Sequence, residues 1–228
     1  MDVVSLIYIF DENAGKESFS IKGELHKYLI KVRRHTEGDV LSFRHKSAIE
    51  TLYRYKVNAV ESRSASLKLI DWEVQERKPE KELHVAWCII DAKSIEKVLA
   101  SLCEIGVSKI SFISCKRSQN NFKLDLKRFE RIVEASMQQS GRTSLMEFDT
   151  YKNIAAFIGE YPDTKVFDFT DNILSDGAAF KRVLIGCEGG FSPDEKELLS
   201  SQDVFRLNSP MVLRSESAVM AVASKILL

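Results

Sequence analysis

The sequence predicts an α/β protein in which a mainly parallel sheet covered by helices follows a small β-barrel or sheet. Up to residue 76 the apolar segments are short, partly alternating and rich in β-branched and aromatic residues. From residue 77 onward strand-like and helix-like segments alternate, which is typical of a parallel sheet. A polar segment with a proline, ERKPEK, separates the two patterns. We therefore predict two domains, residues 1–76 and residues 77–228.

The N-terminal part contains four strand-like segments and one helical pattern. The strands are predicted at SLIYIF, DVLSF, IETLYRYKVNAV and SLKLIDWEVQ. Within ELHKYLIKVRR, apolar residues recur at i, i+3, i+4 and i+7, which predicts a helix with these residues on its buried face: Leu25, Tyr28, Leu29 and Val32. The opposite face is basic and available to solvent, with Lys27, Lys31, Arg33 and Arg34.

The C-terminal part begins with a buried strand in ELHVAWCII and a helix in KSIEKVLASLCEIG that ends at Gly106. The buried face of that helix is predicted to carry Ile95, Val98, Leu99 and Leu102. Further strands are predicted in KISFISC, LMEF, TKVFDF, KRVLIG and VFRL, and further helices in LDLKRFERIVEASMQQS, NIAAFIGE, the segment after Ser192, and SAVMAVASKILL. Ligands of such sheets lie beyond the carboxyl ends of the strands, where LIGCEGG and RLNSPMVLRSES are found.

The segment LIGCEGGFSPDE, residues 184–195, places two glycines between a strand and a helix start. Such turns often bind phosphate, but here Ser192 and Glu195 form the S-x-x-E pattern of a capping box, which uses the free N–H groups. Glu188 and Asp194 add negative charge, and the lysine of the GxxxxGK[ST] pattern is absent. The turn therefore predicts a neutral or cationic ligand and disfavours a nucleotide-phosphate enzyme.

Three other loops carry residues suited to binding or catalysis: 115–122 (CKRSQNNF), 138–142 (QQSGR) and 208–218 (NSPMVLRSESA). In the last of these, Arg214 and Glu216 alternate with Ser215 and Ser217 just ahead of an apolar helix. These residues form a compact set of donors and acceptors. The alternative is that the serines only cap the helix.

The net charge is zero, from 33 basic and 33 acidic residues, but the charges are unevenly distributed. Residues 22–56 hold nine Lys/Arg against four acids, and residues 109–142 hold eight against three, so each segment carries +5. The remainder therefore carries −10. Such polarity can guide a polyanion to one side of the protein, although solvated helix faces explain it equally well.

Cysteine, histidine and hydropathy patterns indicate a cytoplasmic protein without a metal. The four cysteines form no CxxC pair, which favours structural thiols in a reducing compartment. Neither a signal peptide nor an apolar run of membrane-spanning length is recognisable. The histidines are not grouped at metal-ligand spacing; we expect a core position for His84 and surface positions for His26, His35 and His45.

Five segments, in their order and spacing, resemble the RsmE family: EIGV, KRS, EASMQQSGR, LIGCEGGFSPDE and VLRSESA. The members of this family are the 16S rRNA (uracil-N3)-methyltransferases of the SPOUT superfamily, and HKYLIKVRRHTEGDVL resembles their N-terminal PUA-like domain. The chain departs from the usual pattern with Cys187 in place of proline, Asn208 in place of glycine, and serine in place of threonine at residues 215 and 217.

The resemblance implies a SPOUT domain with an α/β trefoil knot over residues 77–228, a PUA-like RNA-binding β-barrel over 1–76, and a homodimer. It implies S-adenosylmethionine as cofactor and 16S rRNA in the small ribosomal subunit as partner. By position, the cofactor contacts are expected from Leu184, Gly186, Glu188, Gly189, Gly190, Leu207, Val212, Leu213 and Ser217. Phosphate contacts to RNA are expected from Lys27, Lys31, Arg33, Arg34, Lys116 and Arg117.

For catalysis we expect Glu216 to act as base or to orient the uracil, and Arg214 to stabilise charge on the carbonyl oxygens. Arg142 is expected to contact RNA or to close the site, either from the same subunit or across the dimer. Three alternatives stay open. In the first, Glu216 serves only to pair with Arg214 and shape the loop. In the others, the protein is a non-catalytic RNA-binding or ribosome-assembly module, or a related methyltransferase for another rRNA or tRNA site.

Overall fold

The computed structural model describes residues 8–119, 123–175 and 177–228, and these fall into two compact units. The first unit holds the described residues up to Lys78 together with Met137–Ser144. The second unit comprises Pro79–Ser136 and Leu145–Leu228. The inclusion of Met137–Ser144 in the first unit was not anticipated from the sequence. The functional assignment of residues 1–76 and 77–228 to two domains stays a prediction.

The first unit is built on a five-stranded sheet in the order β1-β3-β4-β5-β2. Its strands are β1 Ile9–Phe10, β2 Ser18–Lys22, β3 Val40–His45, β4 Ala48–Val60 and β5 Ser64–Val74. β1 is parallel to β3, and the other pairs are antiparallel. One face packs a core of aromatic and aliphatic side chains, including Ile21, Leu41, Phe43, Tyr55, Val57 and Leu67. The predicted strands are present, β2 was missed, and residues 5–7 of SLIYIF lie outside the described residues.

The predicted helix of this unit is present in two parts, α1 Gly23–His26 and a π-helix Lys27–Val32. A π-helix bonds residue i to i+5, as in the hydrogen bond from Arg33 N to Tyr28 O, and this rotates its side chains relative to an α-helix. The prediction that Tyr28 and Val32 are buried was therefore wrong, since their exposed fractions are 42% and 64%. His26, expected at the surface, is only 4% exposed.

The second unit contains a six-stranded sheet in the order β11-β9-β10-β6-β7-β8. Its strands are β6 His84–Cys88, β7 Lys109–Ile113, β8 Glu147–Tyr151, β9 Lys165–Phe167, β10 Arg182–Ile185 and β11 Val204–Phe205. Every pair is parallel, which confirms the predicted sheet type. The β6 strand is buried at all five positions, and His84 lies in the core as expected.

The remaining α-helices are α2 Ala92–Ile105, α3 Leu126–Ser140, α4 Ile154–Glu160, α5 Pro193–Leu198 and α6 Ser215–Leu227, and a 3₁₀ helix, Leu199–Ser201, follows α5. In α2 the Asp91 side chain accepts a hydrogen bond from Ser94 N, and the left-handed Gly106 ends the helix. All four predicted apolar residues of α2 are buried. In the described part of the chain, no helix has both the length and the apolar character needed to span a membrane. The trefoil knot stays a prediction.

Candidate functional site

A cavity of about 430 Å³ lies in the second unit at the carboxyl ends of β9 and β10. This volume lies within the roughly 300–1,000 Å³ typical of small-molecule sites. Most of the walls come from three stretches of chain: the segment after β9, the turn after β10, and the segment between β11 and α6. Arg117 and Lys196 complete them. The position matches the rule that ligands of parallel sheets bind beyond the carboxyl ends of the strands.

The turn after β10 is shaped by Gly190, whose φ of 63° lies in the left-handed region. The turn closes through a hydrogen bond from Gly190 N to Cys187 O of 2.9 Å. A Cβ placed on Gly190 would meet no atom within 4 Å, so the space beside its backbone is open. A Cβ on Gly189 would lie 3.1 Å from the Arg117 side chain. The glycines therefore allow close approach of a ligand on one side and of Arg117 on the other.

The predicted capping box at the start of α5 is confirmed. Ser192 Oγ accepts from Glu195 N at 3.3 Å, and Glu195 Oε2 accepts from Ser192 N at 2.8 Å. The second carboxylate oxygen of Glu195, which is 8% exposed as a residue, accepts from Lys116 N at 2.8 Å. Because these N–H groups are already bonded to a carboxylate and a hydroxyl, they are not available to a phosphate.

The loop after β7 is attached to the glycine turn and to α5. The Lys116 ammonium pairs with Asp194, and its hydrogen bond and charge lower the pKa of that carboxyl group. Arg117 Nη1 donates to Gly189 O at 2.6 Å, and Arg117 lines the cavity. Two residues expected to bind RNA phosphates thus already have partners inside the second unit.

A buried hydroxyl connects the start of α6 to the sheet. Ser215 Oγ donates to Gly186 O at 2.6 Å and accepts from Trp87 Nε1 at 2.8 Å. Ser215 is 5% exposed, and Trp87 is fully buried. Neither serine caps α6, since the N-cap is Arg214 and has no side-chain cap bond. Sequence reasoning missed this role, although a Trp in a buried strand signals the need for a hydrogen-bond acceptor.

Seven of the nine residues expected to contact the cofactor line the cavity: Gly186, Glu188, Gly189, Gly190, Leu207, Val212 and Leu213. The other two do not. Leu184 is fully buried inside β10, and Ser217 is exposed on the first turn of α6. The serine of this segment that does line the cavity is Ser215, two residues before Ser217.

Four cations line the cavity, and three of them have partners. Arg117 binds Gly189 O, Arg206 Nη1 donates to Leu207 O at 3.2 Å, and Lys196 lies 2.8 Å from the Asp168 carboxylate. The fourth, Arg214, is exposed and makes no side-chain hydrogen bond or ion pair with any residue that the structure describes.

Besides Arg214, two residues are expected to act in catalysis, Glu216 and Arg142, and they lie in different units. Glu216 is half-buried in the first turn of α6, where the helix dipole favours a carboxylate, and it forms no ion pair with Arg214. Arg142 belongs to the first unit, is 6% exposed, and its Nε donates to Ser144 O at 2.7 Å. The expected contact of Arg142 with RNA or the site stays a prediction.

The fold and the sequence around this cavity define a class of protein. Residues 76–227 match the sequence model of the RNA methyltransferase domain. A ribosomal RNA small subunit methyltransferase E of Helicobacter pylori is 35% identical over 222 residues, which cover 95% of this chain and 97% of that protein. The chain therefore belongs to the ribosomal RNA small subunit methyltransferase E family, as the resemblance indicated. A relative of the same name in Aquifex aeolicus is 26% identical and covers 96% of the chain and 97% of its own length.

Solved structures share the fold over nearly the whole chain. A ribosomal RNA small subunit methyltransferase E of Neisseria gonorrhoeae, bound to S-adenosylmethionine, has a TM-score of 0.75 at 14% identity and covers 96% of this chain and 95% of its own. A Legionella pneumophila protein with the same bound cofactor has a TM-score of 0.76 at 21% identity, covering 96% and 94%. The predicted fold class is confirmed by this likeness.

The Ser215 hydroxyl predicts a stability difference between two neighbouring serines. Ser215→Ala removes the partners of Trp87 Nε1 and Gly186 O inside the protein, so we expect a loss of about 1–3 kcal/mol in the free energy of unfolding. Ser217→Ala, on the exposed side of the same turn, should change that free energy by less than about 0.5 kcal/mol. Urea denaturation of both variants measures the difference. Equal and small losses would contradict the structural role of Ser215.

Proposed function

We propose that the protein is an S-adenosylmethionine-dependent methyltransferase that methylates N3 of a uridine in 16S rRNA of the small ribosomal subunit. The observation that carries the proposal is the open glycine turn, Gly186–Gly190, facing a cavity in which Arg214 has no described partner. Family membership supports methyl transfer to ribosomal RNA, and relatives of the same name support the small subunit as substrate. The choice of uracil N3 follows from the resemblance and from the chemistry that Arg214 and Glu216 can supply.

The cavity fits S-adenosylmethionine in size and in charge. The cofactor carries a sulfonium and an ammonium cation, a carboxylate and no phosphate, and it supplies an electrophilic methyl group when bound. The Glu188 carboxylate lines the cavity and suits the cations, while Arg214 suits an anionic or carbonyl oxygen. The neutral parts of the cofactor would be held by lining residues with an open backbone or an apolar side chain: Gly186, Gly190, Leu207, Val212 and Leu213. Leu184 would affect the cofactor only indirectly, by shaping β10. A direct contact between Ser217 and the cofactor has no support.

Methylation of uracil at N3 requires removal of a weakly acidic proton. We assign this proton to the Glu216 carboxylate, which is half-buried and not engaged by Arg214. As the N3–H bond breaks, negative charge develops on the two carbonyl oxygens of the ring, where the Arg214 guanidinium can stabilise it. Arg214 and Glu216 are separated by one residue at the start of α6, and the buried Ser215 between them fixes the backbone from which both project.

RNA recognition is assigned to the basic residues of the first unit. N3 lies on the Watson–Crick edge, so the target must be unpaired and is recognised by shape and phosphate contacts. Four exposed cations lie in and after the π-helix, and none pairs with a carboxylate among the described residues: Lys27, Lys31, Arg33 and Arg34. Their charges are therefore available to phosphates. Lys116 and Arg117, which already have partners, fit the role of holding the glycine turn better.

A homodimer and a cytoplasmic location complete the proposal. Three cavity-lining residues, Phe169, Met211 and Val212, are each more than 70% exposed in the single chain. Apolar side chains grouped at this exposure favour coverage by another protein surface, here a second copy of the chain. Sedimentation equilibrium that finds only the mass of one chain at micromolar concentration would exclude the dimer. The cytoplasm follows from the substrate, since small ribosomal subunits are found there.

Substitution of the proposed base is expected to slow methyl transfer without abolishing cofactor binding. Glu216→Gln keeps the shape of the side chain but cannot accept the N3 proton, so turnover should fall roughly 10²–10⁴-fold. The measurement is formation of N3-methyluridine in small-subunit RNA after incubation with S-adenosylmethionine, detected by nucleoside mass spectrometry. S-adenosylhomocysteine affinity, measured by calorimetry, should remain close to the wild-type value.

The matched control is Glu197→Gln, which removes an exposed carboxylate from α5 and should leave turnover unchanged. Wild-type turnover in Glu216→Gln would exclude Glu216 as the base. A methylated nucleoside other than N3-methyluridine in the wild-type reaction would refute the proposed target atom while leaving methyl transfer intact.

Removal of the four basic residues in and after the π-helix is expected to weaken RNA binding in a salt-dependent way. A variant with alanine at residues 27, 31, 33 and 34 should bind small-subunit RNA more weakly. Its plot of log affinity against log salt should be flatter by about 0.7–0.9 for each phosphate that the protein no longer neutralises. Fluorescence anisotropy at several salt concentrations measures this slope.

The control removes equal charge from the second unit through alanine at four exposed lysines: Lys93, Lys97, Lys152 and Lys181. If both variants flatten the slope equally, net charge and not the basic segment governs binding. An unchanged slope in the first variant would remove the segment from the RNA interface.

A further inference from the structure

Three of the four cysteines gather at the carboxyl edge of the parallel sheet. Cys187 follows β10, Cys88 ends β6 and Cys115 follows β7, and these three strands are neighbours in the sheet. All three are free thiols and buried, with exposed fractions of 5%, 0% and 6%. The fourth cysteine, Cys103, lies in α2. The absence of a CxxC pair in the sequence favours structural thiols and does not reveal this cluster, which results from the strand order.

Two of these thiols are in contact. The Sγ atoms of Cys115 and Cys187 lie 3.8 Å apart, and Cys115 Sγ lies 3.0 Å from Ser118 Oγ. The Cys187 thiol donates to Gly190 O at 3.7 Å, and Cys187 lines the cavity. Among the described residues, no group of three His, Cys, Asp or Glu side chains is arranged to hold a metal ion. The contact between the sulfur atoms therefore calls for a different explanation from metal ligation.

We propose that Cys115 and Cys187 are a peroxide-sensitive thiol pair whose oxidation to a disulfide distorts the glycine turn and lowers cofactor affinity. The formation of the disulfide stands independently, whereas its effect on affinity rests on the proposed function. The oxidant is a small hydroperoxide, which is little larger than water and can enter the cavity that Cys187 lines.

The chemistry proceeds in two balanced steps. The thiolate of the pair attacks the peroxide, which breaks the O–O bond, forms a sulfenic acid on that sulfur and releases water from hydrogen peroxide after protonation. The sulfur of the other cysteine then attacks the sulfenic acid sulfur, forms the S–S bond and releases the sulfenic oxygen as a second water. Two thiols are oxidised by two electrons, and one peroxide is reduced to two waters.

The environment favours one thiolate in the pair. Contacts with the sulfur atoms of Cys187 and Cys88, and with the Ser118 hydroxyl, hold the pKa of Cys115 well below its usual value. The hydrogen bond to Cys115, together with burial, raises the pKa of Cys187. The contact therefore places a thiolate and a thiol side by side, as disulfide formation requires.

Disulfide formation acts on the glycine turn through the backbone of the two loops that carry the cysteines. A disulfide holds its sulfur atoms at about 2.05 Å, so two atoms now 3.8 Å apart must approach, and the two loops must move with them. Cys187 O accepts from Gly190 N, and Arg117, two residues after Cys115, binds Gly189 O. Movement of either loop therefore alters the backbone that lines the cavity.

The test treats the reduced full-length protein with hydrogen peroxide, blocks remaining thiols and identifies linked peptides by mass spectrometry. We expect a Cys115–Cys187 link, and a decrease in S-adenosylhomocysteine affinity of about tenfold, comparable to the removal of one hydrogen bond. Addition of a thiol reductant should restore the affinity. Cys103→Ala, which removes a buried cysteine outside the cluster, should behave like the wild type. In Cys115→Ala, peroxide should form no link and leave affinity unchanged.

The outcomes separate this inference from the proposed function. Absence of a link, or a link from Cys115 to Cys88, would overturn the thiol pair. A Cys115–Cys187 link without any change in affinity would overturn its effect on the turn. If the reduced protein fails to bind S-adenosylhomocysteine, the proposed function fails while the peptide analysis still decides whether the thiol pair exists.

Discussion

The hydroxyl of Ser215 joins three elements that lie far apart in the sequence. Through one donated and one accepted hydrogen bond it connects the start of α6, the indole of Trp87 on β6, and Gly186 after β10. Ser215 and Trp87 are buried, so the indole N–H would lack a partner if the hydroxyl were absent. The position of the glycine turn and the direction in which α6 begins both depend on this contact. Arg214 and Glu216, which flank Ser215, therefore project from a fixed backbone.

A second set of contacts fixes the other side of the glycine turn. Glu195 uses one carboxylate oxygen for its capping box and the other for Lys116 N, while Arg117 binds Gly189 O. The loop after β7, the turn after β10 and the start of α5 are thereby held together by side-chain and backbone hydrogen bonds. The Cys115–Cys187 contact lies within the same arrangement. An acidic turn with its N–H groups already bonded suits a cationic, phosphate-free cofactor, and this is the physical basis for proposing S-adenosylmethionine.

Local patterns predicted much of the fold, whereas contacts between distant residues had to come from the structure. The alternation of strands and helices, the buried face of α2, its stop at Gly106 and the Ser192–Glu195 box are short-range signals, and the structure confirms them. The helix before residue 33 was misread because a 3.6-residue period was assumed: the π-helix buries Leu29 and Ile30 and leaves Tyr28 and Val32 exposed. The expected cofactor contact from Ser217 came from a positional resemblance, which does not show which hydroxyl faces the sheet. The three cysteines lie close together because β10, β6 and β7 are neighbours in the sheet, and the spacing of the cysteines along the chain does not reveal this strand order.

The most direct test of the cofactor site compares two glycines that share a backbone conformation. Gly190 and Gly177 have φ values of 63° and 74°, and a Cβ on either meets no atom within 4 Å, but only Gly190 lines the cavity. Gly190→Val and Gly177→Val therefore carry similar backbone strain, and circular dichroism should show both folded. In calorimetric titration with S-adenosylhomocysteine, we predict binding by the wild type and Gly177→Val, and an affinity at least about tenfold lower for Gly190→Val. Equal affinity in all three proteins, or no binding by the wild type, would contradict a cofactor site at this turn.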